Sequence, residues 1–354
     1  MPAHASYVAA EGLDLVLAGR FQRTRALAWS GDWLYTSRGY RLLRARVPEV
    51  VEWEQVGSWR PARWRAISSP SRLGSRFFRD GFHALAVLPS GHLIAAVPRA
   101  IVMLSPGEME FRLSHRLVRG LRPLHIAATP GGHVFWGEYF DNPRRDEVHI
   151  YGSIDRGAHW EAAYTFPRGA IRHVHNIVYD EWEDCLWVLT GDQGGECRII
   201  RASCDFKTRD VVWAGNQQSR CAALVPTRDA VYFSTDTPLE KNHIYGFDRR
   251  SGKVCAVAEL SGSSIYGCSA GDAIFFSTMV EPSAINSSGD VTLQGSRDGV
   301  DWQCLRRWKK DRWPMGLFQY GNAFLPDGKN MSGLLAVTSV AVERSDMETS
   351  IWRV

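Results

Sequence analysis

The stretch that decides the fold runs from Trp136 to Asp192, and at its centre stands Ser153-Ile154-Asp155-Arg156-Gly157-Ala158-His159-Trp160, an S-x-D-x-G-x-x-W pattern. Ser296-Arg297-Asp298-Gly299-Val300-Asp301-Trp302 is a near copy, one residue shorter. Ser203-Cys204-Asp205 keeps the serine and aspartate but has neither the glycine nor the tryptophan. Serine and aspartate side chains bond readily to nearby backbone amides, so such a pattern specifies a turn.

Around these turns the chain repeats. Each unit opens with a short apolar run, then a Gly, Asp or Pro turn, then a second apolar run. The openings fall near Arg25, His83, His125, His175, Cys221, Tyr266 and Tyr320. Short apolar runs between turn residues read as strands, and no sustained 3.6-residue stripe predicts long helices. A repeat of this length predicts radially packed four-stranded blades. The expected fold is all-β, a seven-bladed propeller forming one domain over residues 1–354, with six blades as the alternative. The last unit is one strand short, so Leu13–Leu17 is expected to pair into it and close the ring. Ser68–Asp80, Asp141–Glu147 and Glu281–Asp290 read as loops, where binding residues concentrate.

The turn pattern and the repeat resemble the Asp-box, or BNR repeat, of the sialidase-like β-propeller superfamily. That resemblance implies a carbohydrate-active protein: a sialidase, another glycoside hydrolase, a polysaccharide lyase or a glycan binder. The boxes themselves hold turns and carry no chemistry. The Arg-Ile-Pro motif of sialidases is missing; Pro98-Arg99-Ala100-Ile101 is the nearest sequence. The lyases of this kind use His and Tyr with Arg or a metal on the uronate.

Composition narrows the classes further. With 354 residues, 45% hydrophobic and 23% charged, the chain is of ordinary globular composition. No apolar run approaches a membrane span, and the N-terminus lacks the basic and apolar regions of a signal peptide. The seven cysteines lie between Cys185 and Cys304 without paired spacing, which predicts free thiols and a cytoplasmic location. Net charge is +4, yet arginines cluster at Arg60–Arg79, Arg112–Arg122 and Arg306–Arg312. Such clusters form either a solvated rim or a face for an acidic glycan. Interleaved Asp and Glu argue against nucleic acid.

In a propeller the residues opening each inner strand converge on a central channel. Arg25, His83, His125, Tyr266 and Tyr320 are therefore expected to bind substrate, together with Arg172, Asp192, Arg220 and Asp236. His173 and His175, two apart on a strand, are expected to share a face. Paired imidazoles suit acid–base work or a metal. The catalytic candidates are His173, His175, Tyr139 and Glu138. No cofactor is certain; a divalent metal is a candidate, with His125, His173, His175 and Gln217 as ligands. The bland alternatives are a polar channel lining bonded to backbone and water, and strand-end capping by the carboxylates. The expected function is a lyase or glycoside hydrolase on an acidic oligo- or polysaccharide, or else a non-catalytic glycan-binding or scaffold propeller. Sequence leaves the oligomeric state open.

Overall fold

The computed structural model describes residues 12–47 and 52–354. Seven sheets, each with a four-stranded antiparallel blade, are arranged as a β-propeller. The inner strands are Arg25–Gly31, Ala84–Val87, Ala127–Ala128, Val174–Asp180, Cys221–Pro226, Ser264–Ala270 and Asn322–Phe324. All seven sequence openings fall within two residues of these starts. The last blade is completed by Val16–Gln22, which pairs antiparallel with Glu348–Arg353. Closure by the N-terminal segment therefore holds, but the strand begins three residues later than expected. Leu13 and Leu15 lie outside it and are instead buried among Phe275, Leu293 and Trp352 between blades 6 and 7. The segment examined above for a leader lies, up to Glu11, outside the described residues.

Most of the core sits between blades, where apolar faces of neighbouring sheets meet. The three turns secure the outer strands of that packing. Ser153 Oγ donates to Asp155 Oδ1 at 2.9 Å and accepts from Gly157 N at 2.9 Å. The second turn repeats this: Ser296 Oγ donates to Asp298 Oδ1 at 3.0 Å and accepts from Gly299 N at 2.9 Å. The shortened third turn keeps the Ser203–Asp205 bond at 2.6 Å. Trp160 packs against the core between blades 2 and 3, and Trp302 against that between blades 5 and 6. In the third turn the buried Phe206 takes that place between blades 3 and 4. Burying such an aromatic side chain contributes on the order of 2 kcal/mol.

Two features depart from the sequence reading. Ser68–Asp80 is no plain loop: with the preceding residues it forms two short helices, α1 (Arg63–Ser68) and α2 (Arg72–Phe78). Ser71 caps α2 by accepting from Gly74 N. The buried Arg76 ties α2 to blade 7 through Asp346 and to Asp311 and the Phe318 carbonyl. The second departure is Pro326–Gly328, expected as a hairpin turn. Asp327–Asn330 is a strand that runs parallel to inner strand Arg25–Gly31 and also packs against the inner strands of blades 2 and 6. It therefore lies inside the ring of inner strands. Gly328 has φ of +87°, and a Cβ there would stand 2.3 Å from the Trp29 carbonyl oxygen. Only glycine permits so close an approach.

Candidate functional site at the channel mouth

With that strand inside the channel, the mouth at the starts of the inner strands becomes a pocket with a floor. His125 Nδ1 lies 3.0 Å from both carboxylate oxygens of Asp327. It is thus bound to that strand, and it does not join His173 and His175.

On one side of the mouth stand the histidine pair and Asp192. His173 precedes the inner strand of blade 4, and His175 is the extra residue of a β-bulge between Val174 and Asn176. Their meeting thus owes more to the bulge, which re-aims a side chain, than to simple strand alternation. Their Nε2 atoms are 2.9 Å apart. Asp192 Oδ1 lies 3.2 Å from His175 Nε2 and 3.4 Å from His173 Nε2. Arg172 Nη1 reaches Asp192 Oδ2 at 3.3 Å. Arg220 Nη2 reaches Asp192 at 3.3 Å and Asp236 at 3.7 Å. Gln217 donates its amide to the Asp192 carbonyl at 3.0 Å and accepts from Thr237 Oγ1 at 2.7 Å. It positions the loop that carries Asp192, and it is not grouped with the imidazoles.

Burial shapes the charges. It would raise the Asp192 carboxyl, but the facing His173 and His175 rings outweigh it and hold the group well below the usual range. Asp236 goes the other way. Burial pushes it up to about 7 despite Arg220, with Glu281 and Asp192 adding to the rise. Glu281 is likewise raised by burial and by Asp192. Burial lowers His175, which favours the neutral ring.

Tyr139 covers this cluster, its ring centroid 4.3 Å from that of His173. Burial, then Asp236 and Asp192, raise its hydroxyl so that it stays protonated. Among the described residues that hydroxyl has no hydrogen-bond partner, and the side chain is part-exposed. Glu138, its neighbour, faces the other way. It pairs with Arg119 and accepts from His149 N at 2.8 Å. The residue equivalent to Asp192, two beyond the end of the second strand, is Tyr139 and not Glu138.

Across the mouth the side chains are basic. Arg25 donates to His83 Nδ1 at 3.1 Å and lies 3.9 Å over the Phe324 ring. The His83 Nε2–H therefore faces the Arg79 carbonyl, at 2.7 Å, and burial holds this ring neutral. Tyr266 lies beside Arg25, and its ring is 5.7 Å from that of His125. Arg122 and Arg79, which sequence grouped with rim clusters, belong here. Burial and then Arg25 push Arg122 down to about 9, with Arg79 adding to the effect. Among the described residues Arg25, Arg79 and Arg122 form no salt bridge. Tyr320 is half-buried and takes no part in these contacts.

From Arg25, His83 and Phe324 a cleft of about 680 Å³ opens under α1 and α2. Arg23, Arg38, Arg41 and Arg63 line it; among the described residues they too lack carboxylate partners. Arg60 and Arg76 in the same wall are paired, with Glu110 and with Asp311 and Asp346.

No protein-family model matches the chain, and no curated protein matches it. Solved structures do. A chain of the mitotic checkpoint complex aligns with a TM-score of 0.57 at 8% identity, covering 100% of this chain and 99% of that one. A chain of a nidogen/laminin complex aligns with a TM-score of 0.50 at 11% identity, covering 84% of this chain and 97% of that one. At such identities the likeness shows the propeller fold alone.

Proposed function

We propose that the protein acts on an acidic oligo- or polysaccharide at this channel mouth, as a lyase or glycoside hydrolase of the sialidase-like type. One observation carries the reading: Arg25, Arg79 and Arg122 lie close together at the mouth without a salt bridge among the described residues, and an arginine-lined cleft opens from Arg25. Holding half-buried guanidiniums together is unfavourable unless an anion is to be bound there. A sugar carboxylate supplies that anion. The Ser-Asp turns support the superfamily assignment, and no nucleic acid enters the reading. The seven unpaired cysteines suit a reducing compartment, and the reading places the protein in the cytoplasm.

For a lyase, the arginines neutralise the carboxylate and make the adjacent C–H acidic. That proton passes to a base on the facing side of the mouth. The C–O bond to the leaving sugar breaks, a C=C bond forms, and Tyr139 gives its proton to the leaving oxygen. The opposite shifts of the Asp192 and Asp236 carboxyls favour a second reading. In a glycoside hydrolase the raised carboxyl serves as acid and the lowered one as base or nucleophile.

Incubation with polygalacturonate, alginate and sialylated oligosaccharides separates these. Ultraviolet absorbance of an unsaturated uronate marks the lyase, and new reducing ends without it mark the hydrolase. Binding without either product marks the non-catalytic glycan binder. Failure to bind any of them contradicts the proposal.

A further inference from the structure

The histidine pair poses a problem of hydrogen counting. His173 Nδ1 lies 3.1 Å from the Phe140 carbonyl oxygen, and His175 Nδ1 lies 2.9 Å from the Cys221 carbonyl oxygen. A carbonyl only accepts, so each Nδ1 carries a hydrogen. In neutral rings both Nε2 atoms are then bare lone pairs. Yet these two atoms face each other at 2.9 Å, with Asp192 Oδ1 at 3.2 and 3.4 Å. Three acceptors converge with no hydrogen between them, and a positive charge must lie among them.

We propose that His173 Nε2, His175 Nε2 and the Asp192 carboxylate bind a divalent transition-metal cation of the zinc, manganese or iron class. Ligand atoms about 2.1 Å from a common ion stand roughly 2.9–3.4 Å apart, the separations found here. Two imidazoles and one carboxylate on one side of an ion leave its other positions open. The Nδ1 bonds to carbonyls are what orients metal-binding histidines elsewhere. The other cluster with ligand-type atoms, Asp180, Glu183 and Cys185, differs. There Asp180 already accepts from Trp187, Trp182 N and Arg249, so donors hold it without an ion. The inference rests on the proposed function only for its place in the mouth. As ligands, the imidazoles do not themselves take the substrate proton.

The test uses the full chain, stripped with a chelator and titrated with Zn²⁺ and then Co²⁺. Elemental analysis and calorimetry should give one ion per chain, and Co²⁺ should develop visible absorption. Asp192→Asn and His173→Ala should each weaken binding at least about tenfold, with circular dichroism checking the fold. Should a variant not fold, imidazole ¹⁵N spectra of the unaltered protein decide: Zn²⁺ should shift both Nε2 signals. Absence of bound ion, unchanged binding in folded variants, or an Nε2 hydrogen that Zn²⁺ does not displace overturns the proposal. No sugar enters these measurements, so their failure is distinct from failure of the glycan reading.

Discussion

Asp192 and Asp236 share one guanidinium nitrogen, Arg220 Nη2, at 3.3 and 3.7 Å, and their carboxyls are shifted in opposite directions. Asp192 is kept well below the usual carboxylate range, while burial lifts Asp236 to about 7. A raised carboxyl binds its proton in the folded chain after the unfolded chain has lost it. Its stabilising effect is therefore complete below pH about 4 and declines until pH about 7. Relative to Asp236→Asn, the unaltered protein should lose on the order of 3 kcal/mol across that window. Urea unfolding at pH 5 and pH 8 checks this; parallel pH profiles for the two proteins would contradict it.

Tyr139 and Glu138 are adjacent in sequence and face opposite ways. Tyr139→Phe removes only the hydroxyl, and turnover should fall by roughly 10²–10⁴-fold with the fold intact. Glu138→Gln alters the Arg119 pair outside the mouth. It should leave turnover within about threefold while lowering stability by about 1–2 kcal/mol. The reverse pattern would place the catalytic group on the wrong residue.

Gly328 sets how Asp327–Asn330 sits inside the ring of inner strands. Its φ of +87° and the 2.3 Å approach to the Trp29 carbonyl leave no room for alanine. Gly328→Ala should cost about 2 kcal/mol, read as a lower melting temperature. It should also expose Asp327–Asn330 to faster amide exchange. An unchanged exchange pattern would show that the close approach is not structural.

The S-x-D turns should matter for stability and not for the site. Asp155 accepts from Ser153 Oγ and His159 N, both at 2.9 Å. Burial opposes its charge, but the bonds from His159 and Ser153 hold the carboxyl down to about 2. A depressed carboxyl stabilises above pH about 4 and loses that effect as pH falls through about 2. The side chain is part-exposed, so Asp155→Ala should cost only about 1 kcal/mol at neutral pH. Ligand binding should be unchanged, as calorimetry with the same sugar would show.

Much of the fold was legible because it is written in local signals. The serine–aspartate turns, the short apolar runs and the missing last strand each report on the backbone nearby. His173, His175, Asp192, Arg172, Arg220 and Asp236 could be grouped because the repeat places strand ends together. What escaped reading depends on tertiary contacts. Pro326-Asp327-Gly328 reads locally as a turn, and only the inner strand of blade 1 makes it a strand. Glu138 and Tyr139 differ by one residue, and that parity is set where the strand leaves its blade. Arg79 and Arg122 look like other surface arginines until the folded chain removes their partners. Their one sequence signal was membership of the arginine clusters.

The central claim is that the mouth recognises a sugar by its carboxylate. Calorimetric titration of an oligogalacturonate against its neutral methyl ester, with unaltered protein and with Arg122→Gln, tests this most directly. The acid should bind and the ester should not, and Arg122→Gln should weaken acid binding by at least about tenfold, the loss of one charge-assisted contact. Equal affinity for acid and ester, or acid binding that Arg122→Gln leaves untouched, would contradict it.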